Sequence, residues 1–136
     1  MQKSIDVGQA IAGLAVGVTT TARETGAAKL TALHREVAVT MPSAGAQEIR
    51  VLHARLDPGD RTPYHSHRHP VTVYMLAGVF TLELDGREPV HVRAGEVFVE
   101  PAQVRMTGRN LSADEPATMV LFYVSEPDAP FADPAA

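Results

Sequence analysis

The chain has 136 residues, 45% of them hydrophobic and 21% charged, which is the length and composition of one globular domain. Twelve basic and sixteen acidic side chains give a net charge of −4, so the surface offers little to a phosphate backbone and nucleic acid is not an expected partner. Cysteine is absent, which excludes disulfides and thiolate metal ligands, and no apolar run reaches the roughly 18 residues that a membrane span needs, so a membrane is not an expected partner either.

The N-terminal segment, residues 1–30, has two interpretations. Residues 7–18 (VGQAIAGLAVGV) are small and apolar, and their larger side chains follow helical spacing, which favours a short helix: Val7, Ile11, Leu14 and Val18. The alternative is a weak secretory signal over residues 1–22, against which Asp6 and Gln9 interrupt the pattern. The helical interpretation predicts a cytoplasmic protein, and the signal interpretation predicts a periplasmic or secreted protein.

From residue 31 onward the apolar side chains alternate with a period of two, which predicts strands rather than helices. Turn residues separate the strand-like runs, and Asp85-Gly86 is typical of a two-residue hairpin turn. Eight short strands at this spacing indicate an all-β sandwich or barrel over residues 31–125. Residues 126–136 form a Pro-rich acidic tail, which we expect to pack poorly. The strand-like runs are 33–41, 48–56, 64–68, 71–77, 79–84, 88–93, 96–100 and 117–124.

A cluster of three histidines follows the turn at residues 57–60. His65 and His67 are two residues apart, so on a strand both imidazoles lie on one face, about 6–7 Å apart along the chain. His69 continues the same parity, although Pro70 indicates that a turn begins there. Imidazoles on one face can share a divalent transition-metal ion. The alternative is a polar loop whose histidines face water.

These residues resemble the cupin family through two motifs. The usual first motif is G-x5-H-x-H-x3-E-x6-G, and the usual second motif is G-x5-P-x-G-x2-H-x3-N. The resemblance covers residues 33–124 and implies a small antiparallel β-barrel of jelly-roll (double-stranded β-helix) type, often dimeric, with its site inside the barrel. It therefore implies a small-molecule ligand and a homodimer. The matched positions are Gly59, His65, His67, Gly78, Gly95, Pro101 and Asn110.

The departures from the motifs affect the ligands that the resemblance implies for a metal. Val71 stands at the usual Glu position and Met106 at the usual second-motif His position, so only half of the four-ligand set remains. His69 is the nearest candidate for a third ligand. Met106 either fills the core or offers a soft thioether, which suits copper. Glu100 precedes a proline at a strand end, and the sequence does not place it in the site.

Three functions are compatible with this sequence. The first is a small-molecule-binding cupin with a metal held by His65 and His67, of oxygenase, isomerase or lyase type if it is an enzyme. The second is a metal-free cupin that binds a small, partly apolar ligand, with either histidine as general acid or base if it is an enzyme, and the third is a structural or interaction barrel. The apolar residues Val71 and Met106, together with Tyr74, are the expected contacts of a partly apolar ligand.

Overall fold

The structure, a computed structural model, describes residues 27–136. The chain divides into two units, residues 1–37 and 38–136, and every strand of the described residues lies in the second unit. The helix predicted over residues 7–18 lies outside the described residues. The described part of the chain contains no helix with the length and apolar character needed to cross a membrane.

Two antiparallel sheets form the second unit, which confirms the predicted all-β fold. The four-stranded sheet has the order β1-β8-β3-β6, and the five-stranded sheet has the order β5-β4-β7-β2-β9. Apart from β4 and β5, the neighbours in each sheet are not consecutive in sequence, as expected when a β-barrel closes through long connections. The strands are β1 Glu48–Leu56, β2 His65–Ser66, β3 Val71–Ala77, β4 Val79–Leu84, β5 Val90–Arg93, β6 Val97–Glu100, β7 Met106–Arg109, β8 Ala117–Ser125 and β9 Asp133–Pro134.

The core lies between the inner faces of the two sheets. Along β3, Val71, Val73 and Met75 are completely buried while Tyr74 between them is only half-buried, which is the alternation that a period of two predicts. Burying each large apolar side chain contributes about 1.5–3 kcal/mol to stability. The remaining core side chains are Leu56, Phe80, Leu82, Leu84, Val92, Met106, Ala117, Met119 and Tyr123.

Two local predictions were wrong. Residues 33–41 form no strand, and Val37 and Val39 are each 92% exposed, because no strand of the described residues pairs with this stretch. The turn at Asp85-Gly86 is wider than a two-residue hairpin, since the β4–β5 ladder ends at the pair Leu82↔Val90. The last residues of β4 pair with β7 instead. A period of two therefore neither guarantees a strand nor fixes its partner.

The tail after residue 125 packs more closely than its composition predicts. β9 pairs with β2, and Arg68 lies 3.3 Å from the Asp133 carboxylate. Ala129 is buried and Phe131 packs against the core. The acidic and proline-rich composition obscured this, because a single aromatic side chain and a two-residue bridge are enough to hold a short tail on the barrel.

One motif residue serves the fold rather than the chemistry. Asn110 is buried and its Nδ2 donates to the carbonyl oxygens of Leu56 and Glu115, at 3.1 and 2.8 Å. Its Oδ1 accepts the backbone N–H of Ser112 at 3.0 Å. The side chain thus joins the end of β1 to the loop before β8, and buried polar groups satisfied in this way hold loops in a single conformation.

Candidate metal centre

β2 brings two histidines together in the interior. It is a short strand that pairs with β7 through His65↔Met106 and with β9 through Ser66↔Asp133. The imidazole centroids of His65 and His67 are 4.8 Å apart with their planes 80° apart. His67 is buried at 2% exposure and His65 is half-buried, so the pair extends from the partly accessible rim into the core.

A carboxylate joins them from another strand. Glu100 is the last residue of β6 and the cross-strand partner of Val71 on β3. Because paired residues of an antiparallel ladder project to the same face, Glu100 lies on the inner face beside Val71. It is 4% exposed, and its Oε1 is 3.2 Å from Nε2 of His67. The carboxylate that the first motif lacks at residue 71 therefore comes from the neighbouring strand.

His65, His67 and Glu100 lie close enough to hold a metal ion. One ring nitrogen of each histidine and one carboxylate oxygen lie within 4.8 Å of one another. Ligand distances of about 2.0–2.2 Å around a tetrahedral ion require donor separations of roughly 3.4 Å. The distance of 3.2 Å between His67 Nε2 and Glu100 Oε1 meets this requirement.

Hydrogen bonds fix which nitrogen of each ring is available. Nδ1 of His65 lies 2.6 Å from the Pro63 carbonyl oxygen, and Nδ1 of His67 lies 2.6 Å from that of Phe131. A carbonyl oxygen only accepts, so each Nδ1 carries the hydrogen and donates it. Nε2 is then the nitrogen with the free lone pair, as in metal-binding histidines whose other nitrogen is held by a backbone carbonyl.

The contact between His67 and Glu100 requires a positive charge between the two atoms. A neutral imidazole with its hydrogen on Nδ1 presents an acceptor at Nε2, and an ionised carboxylate also presents an acceptor. Two buried acceptors 3.2 Å apart repel unless a proton or a metal ion lies between them. Metal ions and protons compete for the same ligand lone pairs, so the affinity of a site built from such ligands for metal rises with pH.

The structure does not bring His69 into this group. Its Nδ1 donates to the Thr40 carbonyl oxygen at 2.8 Å, and its Nε2 lies 3.0 and 3.1 Å from the two carboxylate oxygens of Glu126. Both ring nitrogens thus have partners. β2 ends at Ser66, and the segment after it brings the His69 ring to Thr40 and Glu126 instead of to His65 and His67.

The His69–Glu126 contact predicts a pH dependence of stability. Burial lowers the pKa of His69, but its hydrogen bonds to Thr40 and Glu126 raise it by more, so the pKa lies above 6.5. The stability this gives is complete below pH 6.5 and is lost as the pH rises through the folded pKa. From about pH 5.5 to 8.5, the thermal midpoint of the wild type should therefore fall more than that of Glu126→Gln, with Glu115→Gln as the exposed control. Parallel profiles for the wild type and Glu126→Gln would contradict this.

Two of the three predicted ligand contacts lie beside the group. Val71 pairs with Glu100, and Met106 pairs with His65; both side chains are completely buried. Tyr74 alternates with Val71 along β3 and lies on the opposite face of the sheet, half-buried. The wall next to the three candidate ligands is therefore apolar, and Tyr74 is not part of it.

A polar cleft of about 690 Å³ adjoins the candidate metal centre at His67. Its lining includes Ser66, which alternates with the two histidines, and neither His65 nor Glu100. The cleft therefore shares one residue, His67, with the candidate metal centre. It is lined by Ser66, His67, Arg68, Asp85, Gln103, Val104, Arg105 and Asp133.

Comparison with known proteins identifies the family. A family model described as a cupin domain matches residues 52–123, which is more than half of the chain. The chain belongs to the cupin family. The match covers both histidines, Glu100 and the strands that position them, and it confirms the predicted resemblance. No curated protein matches this cupin.

Solved structures similar to this cupin have the same fold. A protein of unknown function from Streptococcus pyogenes is 25% identical, with a TM-score of 0.51, over 62% of this chain and 70% of that one. The polyketide cyclase RemF from Streptomyces resistomycificus is 20% identical, with a TM-score of 0.55, over 68% and 63%. The DMSP lyase DddQ from Ruegeria pomeroyi is 17% identical, with a TM-score of 0.53, over 60% and 41%. These likenesses support the double-stranded β-helix fold.

Sequence reasoning missed Glu100 as a candidate ligand, although a signal for it was present. The first-motif strand contains Val71 where a glutamate is usual, and the second-motif strand ends in a glutamate. These two strands pair in the fold, and the register places the two positions opposite each other. The motif alignment and the β3–β6 pairing together would have predicted that Glu100 supplies the carboxylate that is missing at residue 71.

Proposed function

We propose that this cupin binds one divalent transition-metal ion through His65, His67 and Glu100 and presents it to a small-molecule ligand. The proposal is carried by one ring nitrogen of each histidine and one carboxylate oxygen that lie within 4.8 Å of one another, with both Nδ1 atoms held by backbone carbonyls. Two imidazoles and a carboxylate suit zinc, iron, cobalt, nickel or manganese and need no thioether. Met106 then acts as an apolar wall and not as a copper ligand.

Three protein ligands leave room for a substrate. A tetrahedral ion keeps one position open and an octahedral ion keeps three, so water or a ligand oxygen can complete the coordination. When bound, such an ion acts as a Lewis acid toward a ligand oxygen. The buried side chains of Val71 and Met106 favour a ligand whose remaining part is apolar.

The reaction and the partners stay open within this proposal. The polyketide cyclase and the DMSP lyase are 20% and 17% identical to this cupin, so their likeness extends to the fold and assigns no reaction. The homodimer and the cytoplasmic location predicted from the sequence also stay predictions.

A cobalt-loaded protein tests the proposal directly. We expect the visible absorption bands of bound Co²⁺ to shift when acetohydroxamate, a bidentate oxygen ligand, is added, because open positions accept it. The double variant His65→Ala/His67→Ala should show neither bound-cobalt bands nor the shift. His53→Ala/His91→Ala, which removes two histidines outside the group, is the matched control and should behave like the wild type. Cobalt bands that do not respond to acetohydroxamate would mean a closed, structural metal site.

A further inference from the structure

A buried tyrosine hydroxyl in the barrel has no hydrogen-bond partner. Tyr123 lies on the inner face of β8 and is 1% exposed, and its hydroxyl makes no hydrogen bond. Its ring centroid is 5.9 Å from that of His67 and 5.2 Å from that of Phe131. Buried polar groups are nearly always satisfied, so an unsatisfied hydroxyl this close to the candidate metal centre indicates a missing acceptor.

A second donor lies beside it. Arg50 on β1 is the cross-strand partner of Tyr123, and its guanidinium carbon is 5.2 Å from the Tyr123 ring centroid. Nη2 donates to Ser125 Oγ at 2.7 Å, but Nε is buried without a hydrogen bond. The Glu48 carboxylate is 3.5 Å from Nε, which is an ion-pair distance without hydrogen-bond geometry. The Arg50 side chain as a whole is 21% exposed.

Tyr123 and Arg50 belong to the same row as the carboxylate ligand. The registers place Arg50, Tyr123, Val71 and Glu100 side by side on the inner face of the four-stranded sheet. One end of the row presents the Arg50 cation, which forms an ion pair with Glu48, and two donors without a hydrogen bond, Arg50 Nε and the Tyr123 hydroxyl; the other end presents the candidate metal ligand. Donors without an acceptor, next to a positive charge, match an anionic oxygen.

We propose that Arg50 and Tyr123 form a subsite for the carboxylate of a small ligand bound in the barrel. This subsite rests on the proposed function, because it requires a small-molecule ligand. The ligand class is a small carboxylate whose short apolar part lies along Val71. The Tyr123 hydroxyl and Arg50 Nε donate to the carboxylate oxygens. The planar guanidinium group holds its N–H donors in a fixed arrangement that matches the two oxygens of a carboxylate.

The test compares propionate with propionamide, its neutral counterpart. We titrate each into the full-length protein by protein-observed NMR, in chelator-treated and in zinc-loaded form. The wild type should bind propionate at least tenfold more tightly than propionamide, and Tyr123→Phe and Arg50→Gln should each lose most of that preference. The matched controls are Tyr74→Phe on the opposite face of the sheet and Arg55→Gln on the outer face of β1, and both should keep it.

Thermal unfolding of the free protein provides a second measurement. If the Tyr123 hydroxyl meets only the ligand, Tyr123→Phe has a thermal midpoint equal to or higher than that of the wild type, because no hydrogen bond is lost. A lower midpoint together with an unchanged propionate preference would overturn the subsite and assign the hydroxyl a structural role. Equal binding of propionate and propionamide by the wild type would overturn it as well.

The same titrations separate this inference from the metal proposal. Zinc binding without a propionate preference leaves the metal centre intact and removes the subsite. A propionate preference in the chelator-treated protein, lost in Tyr123→Phe, supports the subsite even if no metal binds.

Discussion

Replacing Glu100 with valine is expected to lower the affinity of this cupin for Zn²⁺, Co²⁺ and Ni²⁺ by at least about a hundredfold, since two imidazoles alone form a weak site for a divalent ion. Glu100 is the one carboxylate in the group, and it is 4% exposed beside the Nε2 of His67. Competition against a chelator of known affinity measures the change. Glu88→Val, at an exposed carboxylate outside the group, is the matched control and should bind like the wild type.

Moving the carboxylate back across the ladder should restore binding. Val71 and Glu100 are cross-strand partners on the same face, so Val71→Glu in the Glu100→Val background places a carboxylate at the usual first-motif position. We expect the double variant to recover at least about tenfold of the lost affinity, whereas Val71→Glu alone crowds the site with a second buried charge. Unchanged metal affinity in Glu100→Val would show that the carboxylate is not a ligand.

Replacing Gly78 with alanine is expected to destabilise the fold by about 3 kcal/mol, through strain and steric overlap together. Gly78 joins β3 to β4 with a φ of +75°, in the left-handed region that glycine tolerates best. A Cβ there would overlap the Pro116 carbonyl oxygen and lie 2.9 Å from Ala117 Cα, and both are backbone atoms that cannot rotate away. Urea denaturation measures the loss of unfolding free energy.

Gly86 is the matched control because it separates strain from overlap. Its φ is +80°, but a Cβ at this position would have no neighbour within 4 Å. Gly86→Ala should therefore lower the free energy of unfolding by only about 1 kcal/mol, which is the cost of placing alanine at a positive φ without steric overlap. Equal losses for the two variants would show that close packing against the loop before β8 does not explain the glycine at residue 78.

A strand was predictable from the sequence where its own residues alternate between apolar and polar and turn residues bound it. β1, β3 and β4 begin and end where alternation and turn residues predict, because each has one apolar face against the core. β7 and β9 were missed, since β7 contains a glycine and β9 is a two-residue bridge. Their strand conformation depends on the neighbours with which they pair, which a local pattern does not contain.

The candidate metal centre was half predictable for the same reason. His65 and His67 come from one short segment, so their spacing shows in the sequence. Glu100 joins them only through the β3–β6 register, and the tail carbonyl at Phe131 that holds His67 comes from 64 residues away. Parity along β2 suggested His69, but its ring is held by Thr40 and Glu126. The pairing of distant strands determines which side chains come together in such a site. A motif alignment predicts those side chains only when it is combined with the sheet topology.

A metal-loaded crystal measured at the absorption edge of the ion tests the central claim most directly, using tag-free protein incubated with Zn²⁺ and an elemental analysis of the same sample. We predict one zinc ion per chain, with anomalous density at about 2.0–2.2 Å from Nε2 of His65, Nε2 of His67 and a carboxylate oxygen of Glu100. Zinc-free protein after incubation, or an ion held by His69 and Glu126 instead, would contradict the assignment of these three residues as the metal ligands.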